Sequence, residues 1–371
     1  MEVPIVAEEK IRVGIIGANV SRGWGSGAHI PALLALPEYE LTAVCTAHKE
    51  TAEATAAKFG ARLAFHDHRE MVGHPDIDLV AVVVRVPFHR DLTIDALNAG
   101  KHVYTEWPLG ATLQEAQEMA DLARTKGVRT MVGLQGRCSP AYLRLKELIA
   151  EGFVGEVLAC HMSQFGATGL ERTSDRLWAK DRSSGVGTLT ISFGHTIDAL
   201  CFCVGEFSEV SGVVATQVPQ WHFTDTDATV DVTTPDNVLV SGKLTNGALV
   251  SAHVGSIPWH GSGLMIQVFG REGTLVYHGS QGGRPRLEGA RMNEPALQEL
   301  PIPDRLTWVP EGVPQGPPFN VAQMYRRFAE SIRTGRPVEP DFDSAVKLHK
   351  LLEAIQTSSD QGRRVRTEGA A

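Results

Sequence analysis

The chain lacks a positive field, long apolar runs and an orderly set of cysteines. Among its 371 residues, 35 Lys and Arg face 43 Asp and Glu, for a formal net charge of -8. Phosphate-backbone binding needs the opposite balance, so nucleic acid is not an expected direct ligand. No segment approaches the roughly 18 consecutive apolar residues of a membrane span, and the polar start Met1-Glu2-Val3-Pro4 has no basic leader with an apolar core. The expectation is a soluble, cytoplasmic protein. Cys45, Cys138, Cys160, Cys201 and Cys203 are odd in number and scattered through apolar sequence, so they read as reduced core residues. Cys201-Phe202-Cys203 has no second ligand pair for zinc.

What is present is enough apolar sequence, 43%, to build more than one core, and the length favours two domains. Ile11-Arg12-Val13-Gly14-Ile15-Ile16-Gly17-Ala18-Asn19 reads as a buried parallel strand running into a glycine-rich turn. It departs from the dinucleotide fingerprint. Gly17 supplies the tight turn, but the second glycine slot holds Asn19 and the third, without an insertion, would be Arg22. Gly23, Gly25 and Gly27 follow before the helical stretch 28–34, so the loop is lengthened. Its N–H groups suit a pyrophosphate, with Val20 in the loop and Ser21 or Arg22 replacing lost backbone contacts; the competing reading is a purely structural turn.

The first third then alternates. Strands are expected at 41–45, 77–84, 102–104 and 129–133, with helices at 49–59, ended by Gly60, at 90–98 and at 113–125. That alternation implies right-handed crossovers and a doubly wound parallel sheet, which binds ligands at the carboxyl ends of its strands. Those ends carry Thr46-Ala47-His48-Lys49, Arg85-Val86-Pro87-Phe88-His89 and Thr105-Glu106-Trp107-Pro108. An acidic residue usually holds the ribose diol after the second strand, and none stands here. Thr46 with His48 and Lys49 nearby removes the charge that would repel a 2′-phosphate, which slightly favours NADP over NAD; the alternative is a solvated turn.

Near residue 150 the pattern changes to alternating or β-branched strands, with Thr245-Asn246-Gly247 as a hairpin signal. A large open antiparallel sheet is expected, followed by helices at 320–334 and 344–360. The expected division is a dinucleotide-binding domain over 1–135 and a substrate-binding, oligomerising α+β domain over 136–371, the terminal helices packing back on the first.

The strand-end residues, the 178–185 region, His195-Thr196-Ile197-Asp198 and the closing Phe328-Ala329-Glu330-Ser331-Ile332 with Gly335-Arg336-Pro337 resemble the glucose-fructose oxidoreductase, inositol dehydrogenase and MocA family over nearly the whole chain. Glu106-Trp107, 134–140 and 192–198 are similar to its branch of fungal galactose-regulon repressors. The resemblance implies a Rossmann domain, a nicotinamide nucleotide and either a sugar or polyol dehydrogenase or a nucleotide-bound regulator acting through a protein partner. The expected antiparallel sheet offers a broad face suited to a homodimer or homotetramer. The expected cofactor contacts are Gly17, Asn19, Val20, Ser21, Arg22, Thr46, Val86, Pro87, His89, Glu106, Trp107 and Gln135.

Family enzymes place a lysine between glutamate and proline, where this chain has Trp107, and an aspartate four residues before the histidine, where it has Ile191. An indole stacks on a nicotinamide or sugar face but cannot exchange a proton there. His195 remains as the acid/base, since imidazole as a class titrates near neutrality. Asp198, three residues on, is a candidate to orient its ring or to pair locally, and Lys180 is a candidate to supply charge. Trp107, Arg137, Trp178, Lys180 and His195 are the implied substrate ligands; Arg137 and Trp178 have packing as their alternative.

Elsewhere, Phe65-His66-Asp67-His68-Arg69 reads as a loop with two imidazoles and no third ligand, so no metal site is expected. Gly261-Ser262-Gly263 lacks the spacers of a hydrolase elbow.

Overall fold

The computed structural model describes residues 9–20, 23–167, 171–257, 259–279 and 284–367. The chain forms two compact units. One holds the described residues up to Gly110, Gln114–Gln135 and Trp308–Val346; the other holds Ala111–Leu113, Gly136–Thr307 and the described residues from Lys347.

In the first unit, apolar β-branched segments covered on both faces make a six-stranded parallel sheet: β1 (Ile11–Ile16), β2 (Tyr39–Cys45), β3 (Leu63–Phe65), β4 (Leu79–Val82), β5 (His102–Thr105) and β6 (Thr130–Val132). Their order is β3-β2-β1-β4-β5-β6, so the direction of winding reverses between β1 and β4. That reversal opens a crevice at the carboxyl ends. The helix Lys49–Phe59 stops at Gly60, whose φ of 76° is the left-handed conformation a side chain resists. Pro317–Thr334 packs on the short helix Ile30–Ala35.

Two local expectations need correction. The run 77–84 contributes only Leu79–Val82 to the ladder, because Ile77 donates to His74 O in the preceding turn and the chain leaves the sheet after Val83 donates to Ile16 O. The segment 65–69 is not a loop: Phe65 ends β3, and Asp67 caps the helix His68–Val72 by accepting from Arg69 N at 2.8 Å. His68 Nε2 meets Asp95 at 2.8 Å, and among the described residues no group of three or more His, Cys, Asp and Glu could hold a metal.

The second unit is built on a nine-stranded sheet. From one edge it runs Gln298–Leu300, Arg286–Arg291, Gly273–His278, Gly263–Gly270, Val157–Ala167, Leu249–Ile257, Asn237–Leu244, Phe207–Ala215 and Val365–Arg366. The sheet is mixed, since Val157–Ala167 and Leu249–Ile257 are parallel neighbours. One face buries Val238, Val240, Val250, Ala252, Ile266 and Val268, and the opposite face leaves Val213, Leu239 and Leu249 exposed. A three-stranded sheet of Ala228–Asp231, Gln220–Phe223 and Glu171–Arg172 has its own small core of Ala179, Trp221, Phe223 and Val232. The five cysteines are free and buried. Among the described residues no helix is long and apolar enough to cross a membrane.

His349, in Phe342–Gln361, is nearly fully buried, and burial pushes its imidazole down to about 4. An unfolded histidine takes up a proton near pH 6.5. Because the native pKa is depressed, its stabilising contribution is complete above about pH 6.5 and is lost as pH falls toward 4, on the order of 3 kcal/mol across the window. Thermal unfolding from pH 7 to 4 should show this acid sensitivity reduced in His349→Phe; parallel curves for the two proteins would disprove it.

Candidate active site

At the carboxyl end of β1, Gly17 has φ of 99°, and a Cβ there would lie 2.1 Å from Val83 O. The turn therefore passes directly over the end of β4, at the reversal of winding, and only glycine permits that approach. Ser26 Oγ donates to Asn19 O and Lys58 Nζ donates to Val20 O at 2.8 Å, so the loop carbonyls are tied from behind. Gly25–His29 makes a wide, π-type turn before the helix at Ile30. Of the sequence-named loop ligands, Gly17, Asn19 and Val20 stand at this crevice; Ser21 and Arg22 lie outside the described residues. Thr46 follows β2, with its hydroxyl donating to His48 O at 2.9 Å. Val86 and Pro87 form the short turn after β4, and Gln135 begins another after β6.

Two of the expected cofactor ligands are engaged by protein. His89, buried, has Nδ1 2.7 Å from Pro108 O and Nε2 3.0 Å from Val84 O. Burial lowers its pKa, and both ring nitrogens face main-chain carbonyls, so the ring is engaged by protein. Glu106 Oε1 lies 2.7 Å from His29 Nε2, while His29 Nδ1 lies 2.8 Å from the hydroxyl of Tyr325. With the proton on Nε2, the ring donates to Glu106 and accepts from Tyr325. Tyr104 stacks on Tyr325 at 5.0 Å, and Tyr39 donates to Tyr325 O at 2.6 Å. Gly133 makes room for this arrangement: a Cβ there would sit 2.3 Å from Glu106 Oε2. Trp107, next in the chain, is itself buried. Sequence reasoning missed His29 and Tyr325. The only signal was a polar ring in the apolar stretch 28–34, and the partner is 296 residues away.

In the second unit, a π-type turn, Leu189–Phe193, runs into the helix Gly194–Val204, whose first turn carries the partly buried His195. Asp198 is buried on the same helix and accepts from Arg137 Nη2 at 2.7 Å and from Nε at 3.0 Å. Burial raises the Asp198 carboxyl above the usual range, while Arg137 and His195 oppose the rise. Arg137, expected on the substrate side, is thus held in a buried ion pair. Trp178, also expected there, packs against the small core around Trp221 and Phe223. Lys180 Nζ lies 3.7 Å from Asp181, and its carbonyl accepts from the N–H groups of Thr233 and Thr234.

Residues 11–134 match the protein-family model described as the oxidoreductase family with an NAD-binding Rossmann fold, and residues 140–279 match that of the Gal80p C-terminal domain. Over 246 residues the chain is 32% identical to the dehydrogenase aclE of Aspergillus oryzae, covering 64% of this chain and 67% of that one. The chain belongs to the Gfo/Idh/MocA oxidoreductase family. Within the Gfo/Idh/MocA proteins it is also 30% identical over 293 residues to the galactose/lactose metabolism regulatory protein GAL80 of Saccharomyces cerevisiae, covering 73% of this chain and 67% of that one. Levoglucosan dehydrogenase in complex with NADH and levoglucosan superposes with a TM-score of 0.86 at 25% identity, over 97% of this chain and 99% of that one. The chain spans about two thirds of the length of the first two relatives.

The first unit fits the nicotinamide dinucleotide of the Gfo/Idh/MocA family. Its strand order, the forced glycine at the crossing of β1 and β4, and the turns after β1, β2 and β4 supply a shaped crevice at the reversal point.

Proposed function

We propose that the chain is an NAD(P)-dependent dehydrogenase that oxidises a carbinol of a sugar, glycoside or related polyol, with His195 as acid/base. The reading is carried by His195 standing in the first turn of its helix, with Asp198 buried and ion-paired one turn behind it. A fixed helix start presents the imidazole, which accepts the substrate hydroxyl proton at a ring nitrogen and returns it in the reverse direction. Gly17, Asn19, Val20 and Thr46 would hold the dinucleotide, with Val86, Pro87, Glu106, Trp107 and Gln135 around it, and the bound nicotinamide supplies the hydride acceptor. Trp107 offers a stacking surface in place of a lysine, and Lys180 remains a candidate for substrate contact. The absence of an acidic residue after β2 favours NADP slightly over NAD. The exposed row Val213–Leu239, cross-strand neighbours on the open face of the large sheet, supports association into a homodimer or homotetramer, which light scattering reads directly.

A second reading is a nucleotide-bound sensor without turnover, acting through a protein partner. Trp107 and Ile191 at the two altered catalytic positions favour it, together with the likeness to GAL80.

The test is nicotinamide reduction by the purified protein, followed with NAD and NADP separately against sugars, glycosides, inositols and sugar acids. The dehydrogenase reading expects a rise in reduced nicotinamide with at least one of them. Nucleotide binding by tryptophan quenching without reduction on any substrate would overturn it in favour of the sensor.

A further inference from the structure

Beside the turn that leads into the His195 helix, the second unit contains a cavity of about 190 Å³. Pockets for drug-sized ligands are larger, about 300–1,000 Å³, so this one suits one end of a small molecule. Thr188, Ile191 and Ser192 line it from the π-type turn, and Arg172, Arg176 and Trp221 line it from the small sheet and the segment after it.

The charges in its wall do not cancel. Among the described residues no carboxylate lies within ion-pair distance of Arg172 or Arg176, although most other arginines of this unit have one. Arg172 is partly buried, its guanidinium 4.3 Å above the Trp221 ring, and its Nε is buried without a hydrogen-bond partner. Stacking fixes the plane of the guanidinium and leaves its in-plane donors for an acceptor. Burial lowers the Arg172 pKa, and the neighbouring Arg176 adds to it. The acid in the wall, Asp236, does not serve them: its carboxylate accepts from the N–H groups of Gln217 at 2.9 Å and Val218 at 2.6 Å, and from the Asn237 amide at 3.0 Å. The Thr188 and Ser256 hydroxyls, 3.1 Å apart, add hydroxyl partners of the kind a polyol needs.

We infer that this cavity is an anion subsite, that Arg172 and Arg176 hold the carboxylate of a sugar acid there, and that the substrate of the dehydrogenase is therefore an acidic sugar. The inference rests on the dehydrogenase reading for turnover, but binding tests it separately. A carboxylate forked on a guanidinium in a partly dry wall gains affinity and a fixed orientation that a neutral sugar does not.

The experiment compares matched pairs on the full chain by calorimetry, glucuronate against glucose and galacturonate against galactose, with glucose 6-phosphate as a further arm. The acid should bind about tenfold or more tightly than its neutral partner, as expected for a charge-assisted contact. Arg176→Gln, at a position whose side chain is exposed, should bring that ratio close to one, and Arg172→Lys should keep part of it. Equal binding of acid and neutral sugar, no binding of either, or a ratio unchanged in Arg176→Gln would overturn the subsite. Tighter binding of the phosphate ester than of glucuronate would overturn the carboxylate assignment. Acid-selective binding without nicotinamide reduction would sink the dehydrogenase reading and leave the subsite standing; reduction with neutral sugars and no preference for acids would do the reverse.

Discussion

His195→Ala should lower kcat by about 10²- to 10⁴-fold, the range expected for removing a positioned acid/base, while the dissociation constant for the reduced nucleotide changes little. The side chain is in the first turn of Gly194–Val204 in the second unit, whereas the expected nucleotide ligands are strand-end residues of the first. Removing the ring leaves the buried Asp198 carboxylate still paired with Arg137. The pair of measurements separates the roles. A fall in kcat with nucleotide affinity kept marks proton transfer, and a large loss of nucleotide affinity would mark a structural role instead.

The second large effect concerns stability. Asp198→Ala leaves the Arg137 guanidinium buried without its carboxylate, and breaking such a pair from one side costs about 3–5 kcal/mol. Replacing both members, Arg137→Met with Asp198→Leu, removes the uncompensated charge along with the pair and should recover most of the loss. Denaturant unfolding of the single and double variants measures the difference. If the double variant is as unstable as Asp198→Ala, the pair is not the source of the effect. Where the double variant folds well but turns over poorly, the ion pair positions the helix that carries His195.

The readable part of this molecule was the part governed by short-range pattern. The helix Lys49–Phe59 with its glycine stop, the strand–turn at Gly17, and the alternation that implies a parallel sheet all follow from neighbours in sequence. The short helix at His68 is also encoded locally, since Asp67 precedes it with Glu70 three residues on. What could not be read were pairings across distance. Nothing near Arg137 announces Asp198, 61 residues on, so a buried ion pair and a substrate ligand look alike in sequence. His89 shows the same limit: a histidine at a strand end fits a cofactor contact until both nitrogens are found on main-chain carbonyls. The parallel pair in the large sheet was invisible because a strand's residues encode its faces and not the direction of its neighbour.

The helix Pro317–Thr334 belongs to the same unit as β1, and its Tyr325 closes the cluster around His29, Tyr39 and Tyr104. During synthesis the ribosome delivers β1 to β6 first and then some 170 residues of the other unit before Tyr325 emerges. The sheet that is made first is thus completed last, and until then the nascent chain carries an open aromatic surface. A fragment ending near Gln135 would hold every strand of that sheet and still lack its closing side, so the boundary at which the two units can be separated is not a point along the chain.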